Sequence, residues 1–459
     1  MKHTATVNKN DDIELFIDAY TSEGFGIGRI DGLAVFVPYA LKGETVKAHV
    51  IKVSKNYAIA KLTEIIKKND DIRTDVVCSE YYKCGGCDMQ HMSYSEQLKF
   101  KCDRVKGALT HLGGICNVEN LVLPTAPSPS QLRYRNKASF PFSEINGKVC
   151  AGFFAPRSHR LIPVFDCPIQ LENTVKAMRI TEEWANKYKI PAFNEQTKRG
   201  ILRHLVVRSA EGSLLVTVVT SGSALPFSAE LYEMLKSGLP CISGLVHNVN
   251  DTMTNVILGQ KYKTLFGEAE LRDKICGLQF NVRTPSFLQV NHEQSEYLYK
   301  TVLDFMNPDG NECICDVYCG IGTISLMLAQ HVKHVIGIEY VKEAVEDARK
   351  NAIQNGIKNA DFLAEAAEAA LPKLVAQGER IDVIVIDPPR KGCDPEVIKA
   401  IIDSGTNKVI YVSCNPETLA RDIKMLTDND YKLVKVQPVD MFPQTSHVET
   451  IVLLQRETL

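Results

Sequence analysis

The chain has 459 residues, 45% of them hydrophobic and 24% charged, which is enough for two to four domains with cores of their own. No apolar run reaches the roughly 18–20 residues of a membrane span and the opening MKHTATVNKNDD lacks an apolar signal segment, so a cytoplasmic protein with no membrane partner is expected. The net charge of −2 gives no global sign of a polyanionic partner, and 14 cysteines in so long a chain exclude a disulfide scaffold, leaving metal ligands, catalytic groups or small buried hydrophobes.

Residues 9–64 alternate apolar and polar in short runs broken by glycine (IELFIDAY, GLAVFVPYA, TVKAHVIKVS, YAIAKLTEII). Short, evenly spaced strands with glycine turns predict a small closed barrel. The stretch TSEGFGIGRIDGLAVFVPYALKGETVKAHVIKVSKNYAIAKLTEII resembles the TRAM domain, an OB-like RNA-binding barrel.

Residues 65 to about 270 mix strand-like stretches with a helix-like SYSEQLKFKCDRVKGALTHL. CSEYYKCGGCDMQ holds Cys78, Cys84 and Cys87, and Cys167 in FDCPIQ is the candidate fourth thiol. Four thiolates can hold zinc or an iron–sulfur cluster; three clustered cysteines and one distant Cys-Pro, rather than two paired knuckles, point toward [4Fe–4S]. The arrangement resembles the cluster cysteines of the bacterial 23S rRNA (uracil-5-)-methyltransferases. Cys102, Cys116, Cys150 and Cys241 lack such grouping and are expected in the core. Between Gln131 and Arg160 six basic residues, among them Arg133, Arg135 and Lys137, face one acid, Glu144, with Tyr134, Phe140, Phe142, Phe153 and Phe154 interleaved; KRGILRHLVVR (198–208) adds four more. Such residues suit phosphates and stacked bases, and equally suit a solvated basic face. Arg133 is the candidate substrate contact here.

From about 271 strands alternate with helical stretches, which predicts a doubly wound parallel sheet of Rossmann-like α/β class. ECICDVYCGIGTISLMLAQ reads as strand, glycine turn and helix, and HVIGIEY as the next strand, ending near Glu339. Glycines let backbone approach a ligand and a strand-end acid can accept from ribose hydroxyls. A dinucleotide fold uses the same parts, but Asp-x-Tyr-Cys-Gly-x-Gly-Thr is not GxGxxG and is similar to the AdoMet motif of class I methyltransferases. In that likeness Asp316 anchors the loop, Tyr318 lines the methionine pocket, Gly320 is a backbone contact to the cofactor, and Glu339 binds ribose. RIDVIVIDPPRKG brings Asp387 to the carboxyl edge of the sheet, and its two prolines stiffen the turn beyond it. Methyltransferases acting on exocyclic amines carry an aromatic after Pro-Pro; here it is Arg390, which counts against that chemistry. VIYVSCNPETLARD puts Cys414 at the end of the next strand, on the same edge, where a nucleophile belongs.

C5 of a pyrimidine is a weak carbon nucleophile until a thiolate adds at C6, and a base must then remove the C5 proton. MFPQTSHVETIVLL supplies Glu449 at the start of a last strand. With SCNP and DPPR it resembles the uracil-5 RNA methyltransferase family, in which the cysteine attacks C6 and the glutamate is the base; Gln444 stands where that family often has His. PSFLQVN (285–291) also fits, implying Gln289 as an AdoMet contact and Phe287 near the target base.

The resemblance implies residues 1–64 as a TRAM barrel, 65–270 as a mixed α/β domain with the cluster and an RNA surface, and 271–459 as the AdoMet-dependent catalytic domain. It implies 23S rRNA as partner, since barrel and cluster cysteines are absent from familiar tRNA-specific relatives, and a monomer is expected. The alternatives are a tRNA uracil-5 methyltransferase, a cytosine-5 RNA methyltransferase, which normally carries Pro-Cys or Thr-Cys where this chain has Ser413-Cys414, and a non-catalytic iron–sulfur RNA-binding protein.

Overall fold

The computed structural model describes residues 7–457. Strands β1 (Asp12–Tyr20), β2 (Gly26–Ile30), β3 (Leu33–Val37), β4 (Thr45–Val53) and β5 (Tyr57–Lys67) close a barrel in the order β1-β2-β3-β5-β4. Alternation drives it: Leu15, Ile17, Val35, Val37, Val46, Ala48 and Val50 point inward and are buried while their neighbours face water. Glu44, fully buried at the barrel's end, is neutralised by Arg73 from the segment after β5.

That segment leads through the cysteine loop to α1 (Tyr94–His111) and α2 (Val118–Leu121). The sequence suggested that these belong with the central region, but their apolar residues Val105, Leu109, Val118 and Val122 share a core with the carboxy-terminal sheet, and α1 packs on a helix of that sheet.

The central sheet runs β12-β11-β10-β9-β6-β7-β8. Its chain order is β6 (Lys137–Ile145), β7 (Lys148–Phe154), β8 (Leu161–Pro163), α3 (Glu172–Lys187), β9 (Leu202–Ala210), β10 (Ser213–Thr220), α4 (Ser228–Gly238), β11 (Ile242–Val249) and β12 (Lys261–Gly267). A hairpin, β13 (Glu270–Ile275) and β14 (Leu278–Arg283), joins it to α5 (His292–Met306).

The last region alternates β15 (Cys313–Val317), α6 (Thr323–Ala329), β16 (His334–Glu339), α7 (Lys342–Gln354), β17 (Ala360–Ala364), α8 (Ala367–Ala376), β18 (Val383–Ile386), α9 (Pro395–Ser404), β19 (Lys408–Ser413), α10 (Pro416–Thr427), β20 (Tyr431–Val439) and β21 (Glu449–Arg456). The sheet order is β17-β16-β15-β18-β19-β21-β20. The β15–β18 pair is the switch point, outside whose carboxyl ends such folds bind ligands. β21 alone runs antiparallel to its neighbours, so its first residue lies at the edge where the other strands end.

The long connection from β20 to β21 has no secondary structure of its own and needs outside support. It gets it chiefly from α1. Lys101 and Asp440, both wholly buried, form an ion pair, and Lys101 Nζ also donates to the Phe442 carbonyl at 3.1 Å. Tyr94 donates to Asp440 (2.8 Å), Tyr134 to the Pro443 carbonyl (3.0 Å), and Arg104 to the Ser446 carbonyl (2.9 Å). Burial pulls the Lys101 amine below the usual lysine value and Asp440 opposes that.

The four basic residues of 198–208 divide. Lys198 and Arg199 are exposed, but Arg203 is buried against the carbonyls of Asn250 and Thr252, and Arg208 is buried against that of Ser286. Tyr134, Phe140 and Phe142 likewise lie in the central core, the two phenylalanines because alternation along β6 turns them inward. Cys116 is exposed and Cys102, Cys150 and Cys241 are half-buried, so these cysteines are not the core residues expected. Among the described residues no helix is long and apolar enough to cross a membrane.

Breaking one partner of a buried ion pair leaves a bare charge in the interior, which costs about 3–5 kcal/mol. Lys101→Met should therefore lower the denaturation midpoint sharply in a urea titration, and Lys101→Met with Asp440→Leu should lower it less than the single change.

Candidate active site

Four strand ends and one strand start meet in a cavity of about 870 Å³. After β15 the chain passes through Tyr318, Gly320 and Gly322, all at positive φ (71°, 56° and 82°), before α6 begins. A Cβ at Gly322 would come within 3.2 Å of Ala348 and Phe362. Asp316 is buried behind this turn and bonded to Ser325 of α6; burial pushes its carboxyl up to about 7. It anchors the turn and does not line the cavity. Glu339 ends β16 and its carboxylate accepts from the amides of Gly320 (3.2 Å) and Val341 (2.9 Å), tying two loops together at the cavity wall.

Segment 284–290 forms the opposite wall. Arg283 pairs with Asp347 of α7 (2.8 Å), Asn136 Nδ2 donates to the Gln289 carbonyl (3.3 Å), and Lys137 Nζ to that of Thr284 (3.3 Å). Held from both sides, the segment buries Leu288 and Gln289 and leaves Phe287 70% exposed at the mouth.

At the floor, β18 ends one residue before Asp387 and β19 one residue before Cys414. Asn415 caps α10, accepting from the amides of Glu417 (3.0 Å) and Thr418 (3.4 Å), and Pro416 opens the helix, so the thiol stands between strand end and helix start. In the β19–β21 ladder Ser413 is opposite Thr450, which brings Glu449 beside Cys414.

The expected residues Phe287, Gln289, Tyr318, Gly320, Glu339, Asp387, Cys414 and Glu449 all line this one cavity. Arg133 does not. Its guanidinium is taken up by Asp166 (2.6 Å) and by the Cys167 and Gln170 carbonyls (2.9 and 3.2 Å), so it supports the Cys167 loop instead. Tyr340, Arg390, Phe442 and His447 also line the cavity and were not expected there. Tyr340 and His447 stand one and two residues from Glu339 and Glu449, and Arg390 follows Asp387 and its two prolines, which is the signal the sequence offered for them.

The floor is rich in acids. Burial, and then Asp387, push Glu449 up to about 8, with Arg390 opposing. Burial and Asp316 push Asp387 up to about 7. The Cys414 thiol is driven up to about 11 by burial and then by Glu449 and Asp387, again against Arg390. His447 is pulled down to about 4 by burial and by Arg390, Arg104, Lys101 and Arg135. At neutral pH the ligand-free floor therefore holds a thiol and partly protonated carboxyls.

Cys78, Cys84, Cys87 and Cys167 line a second cavity, of about 350 Å³, between the cysteine loop and the central sheet. Burial raises all four thiols, and Cys84, Cys87 and Cys167 each feel the charge of others in the set. Among the described residues no three His, Cys, Asp or Glu side chains converge on a single metal position.

Comparison with known proteins matches residues 253–457 to the family described as tRNA (Uracil-5-)-methyltransferase and residues 8–63 to the TRAM domain. An uncharacterized RNA methyltransferase of Halalkalibacterium halodurans is 44% identical over 99% of both chains, and one of Clostridium acetobutylicum 42% identical over 99% of both. The crystal structure of the Pyrococcus abyssi tRNA (uracil-54, C5)-methyltransferase in complex with S-adenosyl-L-homocysteine superposes with a TM-score of 0.78 at 26% identity, covering 96% of this chain and 99% of that one. With the barrel and the switch-point sheet in place, the chain belongs to the AdoMet-dependent RNA (uracil-5-)-methyltransferase family, a TRAM domain joined to a class I methyltransferase fold.

Proposed function

We propose that the chain methylates C5 of a uridine in 23S ribosomal RNA, acting as a cytoplasmic monomer, with Cys414 as nucleophile and Glu449 as base. The observation that carries this reading is the β19–β21 register, which sets a thiol and a carboxyl side by side on the floor of the cavity that also holds the glycine turn. Gln289, Tyr318, Gly320, Glu339 and Asp387 would hold AdoMet, which supplies an electrophilic methyl group. An acid-rich floor with Arg390 the main opposing charge suits such a cationic donor.

In this mechanism Cys414 would lose its proton to solvent and bond to C6 as the thiolate; the C5–C6 electron pair would be displaced toward C5 and O4, and C5 would take the methyl as the methyl–sulfonium bond breaks with its electron pair kept by sulfur, leaving S-adenosyl-L-homocysteine. The Glu449 carboxylate then removes the C5 proton. The freed electron pair restores the C5–C6 double bond and expels Cys414 as thiolate. Phe287 at the mouth would pack against a base turned out of its RNA stack.

A second reading is tRNA. The Pyrococcus neighbour, named for tRNA, covers 96% of this chain, a span that takes in the barrel, so the barrel alone does not separate the substrates. Mapping 5-methyluridine in 23S rRNA and in tRNA from cells lacking this protein decides between them: loss confined to 23S rRNA is expected, and loss confined to tRNA would overturn it.

In the same reading Cys78, Cys84, Cys87 and Cys167 hold a [4Fe–4S] cluster. An all-thiol donor set facing one cavity of about 350 Å³ supports it, as does the Gly86 amide, which points at Cys84 Sγ at 3.4 Å. A single zinc ion with bonds of about 2.3 Å needs far less room. Protein purified without oxygen should contain about four irons per chain; stoichiometric zinc without iron would rule the cluster out.

The two catalytic roles separate on a denaturing gel. In Glu449→Gln the target uracil should still be attacked and alkylated, yet keep its C5 proton and therefore its bond to the Cys414 sulfur, giving an RNase-sensitive protein–RNA band. Cys414→Ala should show no such band and no methyl transfer. A Cys414→Ala protein that methylates uracil would end the mechanism.

Glu449 and Asp387 bind protons more tightly folded than unfolded, so their contribution to stability is full below about pH 4 and is lost as pH rises through about 7 to 8. The melting temperature of the ligand-free protein should fall from pH 5 to pH 9, and Glu449→Gln should flatten that fall. Equal slopes in the two proteins would show that the Glu449 carboxyl titrates normally.

A further inference from the structure

Glu449 occupies its place without help from its own side chain: burial and the charges of Asp387 and Arg390 act on it, and among the described residues no hydrogen bond does. Its carboxyl is therefore placed by the backbone that leads into β21. Of that lead-in, Ser446 is the last residue gripped from outside, and part of the grip comes from the cysteine loop. Asp88, directly after Cys87, accepts from the Ser446 amide at 2.7 Å through Oδ1 and from the Ser446 hydroxyl at 2.8 Å through Oδ2. The amides of Asp88 and Met89 both donate to the Gln444 carbonyl, at 3.2 and 3.1 Å. Gln444 is held at φ 70°, a left-handed conformation that a side chain other than glycine adopts only under restraint. At its other end the cysteine loop is fixed to the central sheet, where the Gly85 amide donates to the Phe154 carbonyl at 2.9 Å and a Cβ on Gly85 would come within 3.1 Å of that oxygen. The cysteine loop thus spans from β7 to the approach of the catalytic base.

We propose that Asp88 is a positioning residue for Glu449: its two-oxygen clamp on Ser446 sets the register in which β21 begins, and it makes the placement of the base depend on the folded cysteine loop. This rests on the proposed role of Glu449 as the base. A misplaced base slows removal of the C5 proton while leaving the thiol attack and the methyl-donor site alone, since neither Cys414 nor the glycine turn touches the clamp.

The test uses the full-length protein, carrying whatever its cysteines hold, as wild type, Asp88→Asn, Ser446→Ala and Glu449→Gln. Three quantities are read: hydrogen exchange of the 440–448 amides without RNA, affinity for S-adenosyl-L-homocysteine, and the partition between covalent RNA adduct and released methylated RNA. Asp88→Asn should speed exchange at Ser446, leave S-adenosyl-L-homocysteine affinity within about twofold, and lower turnover by about ten- to a hundredfold with adduct accumulating, as expected for a small displacement of a catalytic group. Ser446→Ala keeps the Asp88 carboxylate and loses one of its two bonds, so it should shift the partition the same way and less; it carries the test if Asp88→Asn does not fold. Unchanged exchange, or a wild-type partition in Ser446→Ala, overturns the proposal. So does a loss of adduct in step with a loss of cofactor affinity, which would mark a merely structural role. If Glu449→Gln itself fails to trap adduct, the base assignment is at fault; if it traps adduct and the Asp88 and Ser446 variants do not, only the clamp is.

Discussion

The site depends on one buried ion pair. Asp440 begins the connection between the last two strands and Lys101 sits mid-helix in α1, and neither is reached by solvent. A charge in such surroundings is tolerable only when paired and further hydrogen-bonded. Here Tyr94 completes the carboxylate and the Phe442 carbonyl completes the ammonium. The pair fixes where α1 lies on the catalytic sheet, and α1 in turn supplies Gln97 and Arg104, which hold Gln444 and Ser446. From there the chain reaches His447 and Glu449 on the cavity floor.

The catalytic sheet contributes the other half of the geometry through a single reversal of direction. In a wholly parallel sheet every strand would begin at the edge away from the ligand. Because β21 runs against β19, its first residue stands beside the residue just past the end of β19, and a carboxyl and a thiol meet with no loop between them. The same edge carries the turn after β15, Glu339 at the end of β16 and Asp387 after β18, as expected where strand order reverses. Rigid strand ends are a better mount for reacting groups than mobile loops.

The floor's charge arises from that convergence. Asp316 raises Asp387 and Asp387 raises Glu449, and Arg390 is the opposing charge at Glu449 and Cys414. Left to itself the site keeps its thiol protonated, which limits adventitious reaction of Cys414. The central sheet, through Asn136 and Lys137, and the cysteine loop, through Asp88, reach into the walls of this site, so the catalytic domain is completed by parts outside it.

The sequence by itself determined the features of the site that are local to one strand, turn or helix. The glycine turn, Asp387 before two prolines, Cys414 before a capped helix and Glu449 at a strand start are each written in a handful of consecutive residues, since strand alternation, helix capping and proline geometry act over a few positions. Barrel and doubly wound sheet were legible for the same reason. Only the tertiary structure decided which charges face inward and with what partner. Arg133 and Arg208 read as basic surface and turn out to hold carbonyls and Asp166, because strand direction and domain contacts, not composition, set where a guanidinium ends up. Lys101 and Asp440 look like ordinary polar residues 339 positions apart. Their pairing, and the clamp of Asp88 on Ser446 across 358 positions, arise only when packing removes water from both partners at once and leaves each the other's best replacement.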